Sequence, residues 1–254
     1  MKIVAAVLAA SVLLICWRVY AHGSGFQTWF LYQIARVYTR VMFRLKTLTG
    51  RTVPEDGAAL IIANHTSPVD PMLIWADHRR SFRRAGIRRP GFMMAQEYYE
   101  MGGIPGWIFH VMESIPVERD GRDMGPARAA LNRLKDGQMV GVFPEGRIND
   151  QTPDDQLLSA GSGAAWLALK SQAPVIPIYV HNAPRGTSMG NSFLVRTHSA
   201  LSYGDPIDLS AWYGKRLTQT MLAEVTDLLM ERLAEVGGVL PPEPEATSEQ
   251  LSST

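Results

Sequence analysis

Cysteine is nearly missing from this 254-residue chain, where Cys16 stands alone. No intramolecular disulfide is possible, which suits a domain facing the cytosol, and there is no thiolate cluster to hold a metal. An excess of charge of one sign is missing too. The 25 Lys and Arg are matched by 24 Asp and Glu, for a formal net charge of +1. No overall attraction to a polyanion follows, and no nucleic-acid partner is expected. None of His22, His65, His78, His110, His181 and His198 forms a His-x3-His pair, so a metal site has no support. No Gly-x-Gly-x-x-Gly turn follows a strand-like run, so a nicotinamide cofactor has no footing. No cofactor and no internal repeat are expected. At this length the chain can bury one substantial core.

Residues 3–17 carry no charge and are bracketed by Lys2 and Arg18. As a helix they span roughly 22 Å, less than the roughly 30 Å of a hydrocarbon core. Snorkelling of Arg18, with Trp17 and Tyr20 at the interface, extends the span. A signal peptide cleaved after Val19-Tyr20-Ala21 is the alternative. A retained anchor over 1–22 is preferred, because the next segment is membrane-seeking as well. There Phe30, Ile34, Val37, Val41 and Leu45 share one helical face, and Arg36, Arg40 and Arg44 repeat every four residues beside it. An apolar face flanked by arginines, with Trp29, Tyr32 and Tyr38 nearby, suits a helix over 23–46 lying in the headgroup plane. The alternative is an ordinary domain helix with a solvated edge. Farther on, Arg79, Arg80, Arg83, Arg84, Arg88 and Arg89 crowd a stretch free of acids, either as a solvated face or as an attraction for anionic headgroups or an acidic partner.

From residue 47 to 239, short apolar runs alternate with helical patterns. Strand-like runs fall near 46–49, 59–64, 92–96, 115–117, 139–143, 175–180 and 193–204. Helical runs fall near 68–77, 104–112, 126–136, 161–171 and 217–236. In the last of these, Leu222, Val225, Leu229, Leu233 and Val236 recur at helical spacing, and Gly237-Gly238 ends it. This alternation predicts a single α/β layered domain with a largely parallel central sheet flanked by helices. Residues 240–254 have too little apolar surface to fold and are expected to form a disordered tail.

The most informative stretch is Asn64-His65-Thr66-Ser67-Pro68-Val69-Asp70, at a strand-to-helix junction. On a regular helix His65 and Asp70 would point about 140° apart. With Ser67 as N-cap and Pro68 opening the helix, His65 lies in the loop and Asp70 in the first turn, where they can meet. A carboxylate on one imidazole nitrogen fixes the tautomer and leaves the other nitrogen free to take a proton.

Three further blocks follow: Glu113 to Arg119, ending a strand-like run on an arginine; Val140 to Gly146, ending in Pro-Glu-Gly; and Pro174 to Val180. Together with the His65 block, and in this order, they resemble the four motif blocks of the 1-acylglycerol-3-phosphate O-acyltransferase family. The resemblance covers roughly residues 45 to 210. It implies that a fatty acyl group moves from acyl carrier protein or coenzyme A to the free hydroxyl of lysophosphatidic acid, giving phosphatidic acid, at the cytoplasmic face of a membrane. The implied partners are the acyl thioester, a lysophospholipid and membrane lipids. His65 is then the base and Asp70 its orienter. Arg119 matches the arginine of the second block, which binds the acceptor phosphate. Glu145 and Gly146 match the third block, with Glu145 hydrogen-bonding either acceptor or nearby backbone. Val175, Ile176 and Pro177 match the fourth, which lines or supports the acyl site.

Two departures stand out. The family usually continues Thr-Arg after the glycine, whereas here the arginine comes one position early, as Arg147-Ile148. Arg147 either reaches the same phosphate or points elsewhere. The run Ala160-Gly161-Ser162-Gly163 also lacks the basic residue that often precedes the glycine opening the next helix. The alternatives are a different lysolipid or glycerol-3-phosphate as acceptor, a hydrolase using the same His–Asp pair, or a non-catalytic membrane-binding protein.

Overall fold

The computed structural model describes residues 25–78, 86–118, 124–150, 156–186 and 188–242. The expected anchor over 1–22, Arg119 and most of the expected tail lie outside these residues. The described chain runs α1 (Phe26–Met42), β1 (Lys46–Thr47), β2 (Ala59–Ala63), α2 (Asp70–Asp77), β3 (Gly91–Ala95), α3 (Gln96–Tyr99) and α4 (Gly103–Val111). It continues with β4 (Ile115–Val117), α5 (Gly125–Lys135), β5 (Met139–Val142), α6 (Gly163–Ser171), β6 (Val175–His181), α7 (Met189–Leu194), β7 (Ala200–Tyr203) and α8 (Gln219–Gly237). Seven strands pair in the order β1-β7-β6-β2-β5-β3-β4. Every pairing is parallel except β6 with β7. The expected α/β domain with a largely parallel sheet is thus observed.

The adjacent central strands β2 and β5 are apolar and buried at every position because both sheet faces are covered. The pleat sends Leu60, Ile62, Val140, Val142 and Val175 to the side packed by α5, α6 and α8. It sends Ala59, Ile61, Ala63, Ile176 and Ile178 to the side packed by α2 and Phe43. Helix α8 buries Val225, Leu229 and Leu233 as its periodicity predicts. Thr218 caps its start, the hydroxyl accepting the N–H of Met221 at 3.2 Å, and Gly238 ends it in the left-handed region at φ 64°.

Several expected boundaries shift, each for a local reason. Helix α1 stops at Met42 rather than 46. The Thr39 carbonyl accepts the N–H groups of both Phe43 and Leu45, and Arg44 turns the chain at φ 43°. Leu45 therefore leaves the helical face and packs into the core, and Arg44 stands beyond the helix end. Helix α2 starts at Asp70, with Val69 rather than Ser67 as N-cap. The Asp70 carboxylate folds back to accept the N–H groups of Thr66 and Ser67. The strand expected over 193–204 is only Ala200–Tyr203, because the preceding residues form α7 and then join the end of α1. The N–H of Thr197 bonds Met42 O and that of Ser199 bonds Phe43 O.

Helix α1 docks on the domain through a face that does not include its large apolar stripe. Its buried residues are Thr28, Leu31, Tyr32, Ala35 and Thr39, packed with Trp75, Ala76, Ile87, Val111 and Met112. The apolar stripe read from the sequence points the other way. Phe26, Phe30, Ile34, Val37 and Val41 are 43–64% exposed. At 100° per residue the centres of the two faces lie about 155° apart. Among the described residues, no helix is long and apolar enough to cross a membrane.

Of the six clustered arginines, only Arg88 and Arg89 are described, and both are engaged internally. Arg88 is buried, donating to the carbonyls of Pro54 and Gly57. Arg89 pairs with Glu113 at 2.5 Å and donates to Thr28 on α1. Neither serves as a free headgroup contact.

Candidate active site

In a parallel sheet the carboxyl ends of the strands share one edge, and loops there carry ligands. The loop after β2 holds His65 and the turn after β5 holds Glu145 and Gly146, so neighbouring strands bring the first and third sequence blocks together.

His65 Nδ1 lies 3.1 Å from Asp70 Oδ2. The same carboxylate oxygen accepts the N–H of Thr66 at 2.8 Å and of Ser67 at 2.9 Å. Asp70 is fully buried and the His65 side chain is 17% exposed. An ionised carboxylate can only accept, so Nδ1 carries the proton and Nε2, across the ring, is the basic nitrogen. The imidazole stacks on Phe143 with centroids 4.0 Å apart and planes 12° apart. Phe143 in turn stacks on Phe92 at 5.1 Å. Gly141 leaves room for that second ring, since a Cβ there would come within 2.4 Å of it. The ring is therefore fixed by a carboxylate at one edge and an aromatic stack on one face.

The peptide of His65 is held just as tightly. Glu145 Oε1 accepts its N–H at 2.9 Å, and the Asn149 N–H donates to its carbonyl at 2.6 Å. Glu145 Oε2 accepts the N–H of Leu158 at 3.0 Å. Burial pushes the Glu145 pKa up, opposed by the two N–H donors. Of the two partners expected for Glu145, acceptor or backbone, the structure shows backbone, on both oxygens. A phosphate brought beside this carboxylate would be repelled. The turn that presents Glu145 closes with the Gly146 N–H on the Phe143 carbonyl at 3.0 Å. Gly146 sits at φ 68° with open space where a Cβ would be, so glycine is needed there for backbone conformation.

The remaining candidates make no hydrogen bond to His65 among those described. Arg147 is exposed beside a small cleft of about 70 Å³ shared with Ile148, Asp150 and Leu158. Val175, Ile176 and Pro177 are fully buried in β6, with Val175 and Ile176 in the two core clusters. They pair with Leu60, Ile61 and Ile62, below the strand ends, so they support the sheet and do not face the His65 loop. The Pro177 carbonyl accepts from Gly204, just past the end of β7, so its missing N–H faces the place where that pairing stops. Arg119 lies outside the described residues, and β4, the strand before it, runs parallel to β3.

Asn64 has a role that its place in the motif did not suggest. Its side-chain amide donates to Val180 O at 3.0 Å and accepts the Val180 N–H at 2.7 Å. It thus extends the β2–β6 ladder by one side chain at the point where the backbone departs toward His65. The signal available was an amide residue, able both to donate and to accept, directly after an apolar strand.

Comparison with known proteins adds the following. A family model described as Acyltransferase matches residues 45–181. The chain is 24% identical over 194 residues to the 1-acyl-sn-glycerol-3-phosphate acyltransferase of Bacillus subtilis (strain 168), covering 76% of this chain and 87% of that protein. It is 24% identical over 164 residues to the N-acylphosphatidylethanolamine synthase of Arabidopsis thaliana, covering 61% of this chain and 57% of that protein. The crystal structure of the 1-acyl-sn-glycerophosphate (LPA) acyltransferase from Thermotoga maritima superposes with a TM-score of 0.57 at 18% identity, over 84% of this chain and 82% of that one. At that identity the superposition shows a shared fold.

Proposed function

We propose that this chain, which belongs to the acyltransferase family, moves a fatty acyl group from acyl carrier protein or coenzyme A to the free hydroxyl of lysophosphatidic acid. The observation that carries this reading is the His65–Asp70 pair at 3.1 Å, with the basic nitrogen turned away from the carboxylate. The acceptor hydroxyl attacks the thioester carbonyl carbon as His65 Nε2 takes its proton. The carbon–sulfur bond then breaks, and the imidazolium returns the proton to the departing thiolate. Asp70 stabilises the imidazolium without itself taking the proton. The products are phosphatidic acid and a free thiol. No covalent acyl-enzyme is required. Glu145, Asn149 and Asn64 serve by holding the His65 backbone in place, and Arg119 is assigned the acceptor phosphate through the family resemblance.

The similarity to an N-acylphosphatidylethanolamine synthase supports a second reading, in which the acceptor is another lipid. The test is a panel of acceptors offered with one labelled thioester: lysophosphatidic acid, glycerol-3-phosphate, other lysolipids and a phosphate-free monoacylglycerol. Preferred formation of phosphatidic acid is expected. Release of labelled fatty acid without any acceptor would instead indicate a hydrolase. Arg119→Ala should weaken the apparent affinity for the phosphate-bearing acceptor by about 10–100-fold, and an equal loss with monoacylglycerol would make Arg119 structural.

A lipid acceptor explains the outer face of α1. Its exposed Phe26, Phe30, Ile34, Val37 and Val41, edged by Arg36 and Arg40, suit a helix lying in the headgroup plane at the cytoplasmic side of a membrane. An active site held there meets a lysolipid without drawing its chain into water.

A further inference from the structure

We propose that residues Ser188–Arg196 form a second bilayer contact beside α1, so that the domain rests on anionic membranes at two places. This rests on the reading of α1 as an interfacial helix. Leu194 is 75% exposed and Val195 50% exposed. A leucine and a valine side by side in the open do not contribute to the core, and they lie next to α1 by construction. The Tyr38 hydroxyl donates to the Phe193 carbonyl, and the two rings lie 6.1 Å apart. The N–H groups of Thr197 and Ser199 bond Met42 and Phe43, and Arg44 donates to the His198 ring at 2.6 Å. These bonds fasten the segment to the carboxyl end of α1, beside the exposed Val37 and Val41.

The charge around this surface identifies its occupant. Residues 25–50 and 188–200 contain no Asp or Glu, and they carry Arg36, Arg40, Arg44, Lys46 and Arg196. Exposed apolar side chains on two segments whose own charges are all basic match an anionic bilayer, where each basic residue near the surface adds about 1 kcal/mol. A single helix on a membrane leaves the domain free to roll about the helix axis, and a second contact removes that freedom. The position matters for the site, because Thr197, the next residue, lines a cavity of about 310 Å³ that Thr66 of the His65 loop also lines.

The experiment uses single-cysteine variants of the full chain with Cys16→Ser, labelled with an environment-sensitive fluorophore at Val37→Cys, Leu194→Cys or Glu231→Cys. Glu231 is exposed on α8, on the side of the sheet away from Phe43 and α2. Vesicles of phosphatidylcholine and phosphatidylglycerol, with and without a doxyl-labelled quencher lipid, provide the membrane. Blue shift and quenching at positions 37 and 194, but not 231, are expected. A response at 37 alone overturns the second contact and leaves the α1 reading standing. Silence at both 37 and 194 overturns the α1 reading and the second contact with it. A shift at 194 that grows with protein concentration and needs no vesicles assigns this surface to a second copy of the chain and also overturns the proposal. In a separate comparison, Leu194→Ser with Val195→Ser should weaken vesicle partitioning by about tenfold. Unchanged partitioning in the folded variant overturns it.

Discussion

The His65 loop is held from inside the domain, whereas the outer face of α1 turns its apolar side chains away from it. At the loop, one carboxylate takes the imidazole and two N–H groups, and a second takes the His65 N–H. Along α1, five large apolar side chains stay exposed while the opposite face packs. Buried polar groups must find partners in the fold because leaving them unpaired costs about 1–3 kcal/mol each. Exposed apolar groups carry no such requirement and can wait for a partner outside. The two regions are therefore expected to respond differently to substitution: the loop in rate and stability, the outer helix face in membrane binding.

The largest expected effect is on rate. His65→Ala should lower turnover by about 10²–10⁴-fold while the protein stays folded, since the ring is partly exposed and the Asp70 carboxylate keeps the N–H groups of Thr66 and Ser67. Near-normal turnover would remove His65 from the chemistry.

The inner side of α1 gives the next test, because it belongs to the domain as fully as the loop does. The Tyr32 hydroxyl on α1 bonds the carbonyl of His78, whose ring is buried. Burial first, and the charge of Arg88 second, lower the His78 pKa from 6.5 to about 4. The folded state thus holds His78 neutral where the unfolded chain would protonate it. Its contribution is present above pH 6.5 and is lost as pH falls through about 4. The full span corresponds to roughly 3 kcal/mol. Denaturant unfolding should show stability declining across that window, and His78→Phe should flatten the decline. An unchanged slope in the variant would assign it to other groups.

Glu145→Gln sharpens the reading of the loop. The amide keeps one acceptor and turns a donor toward the other N–H, at a cost of about 1–3 kcal/mol of stability. Misplacement of the His65 peptide should lower kcat by about tenfold, with KM for the phosphate-bearing acceptor nearly unchanged. A rise in KM with kcat preserved would make Glu145 an acceptor contact instead.

The smallest effect is expected where the comparison predicts almost none. Ile34→Ser with Val37→Ser should shift unfolding stability by no more than about 0.5 kcal/mol per site, yet weaken flotation with anionic vesicles. Marked destabilisation would show that the domain itself depends on this face.

The particular residues explain what was readable in advance. His65 and Asp70 are five positions apart on a short loop, so local chain geometry nearly decides that they meet. Helix α8 and the central strands follow from periodicity, because their apolar positions have one destination, the core. Glu145 was ambiguous because a carboxylate in a turn can accept from a ligand or from a peptide, and its partners His65 and Leu158 are 80 and 13 residues away. Asn64 and Val180 are 116 residues apart, and nothing local announces that pair.

Helix α1 draws the line between the two kinds of information. The repeat of 3.6 residues was enough to read a helix within 23–46, with Phe30, Ile34, Val37 and Val41 on one face and arginines at its edge, though not the end at Met42 that takes Leu45 off that face. The alternation of strand and helix patterns was likewise enough for a layered α/β domain, since such elements bury their apolar faces in few ways. Which side of α1 the domain uses is visible only in the folded chain. Thr28, Leu31, Tyr32, Ala35 and Thr39 form a second packable face, and periodicity within one helix carries no information about the shape of α2 and α4 that receive it. The choice of face is set by complementarity between segments far apart in the chain, and only folding brings those segments together.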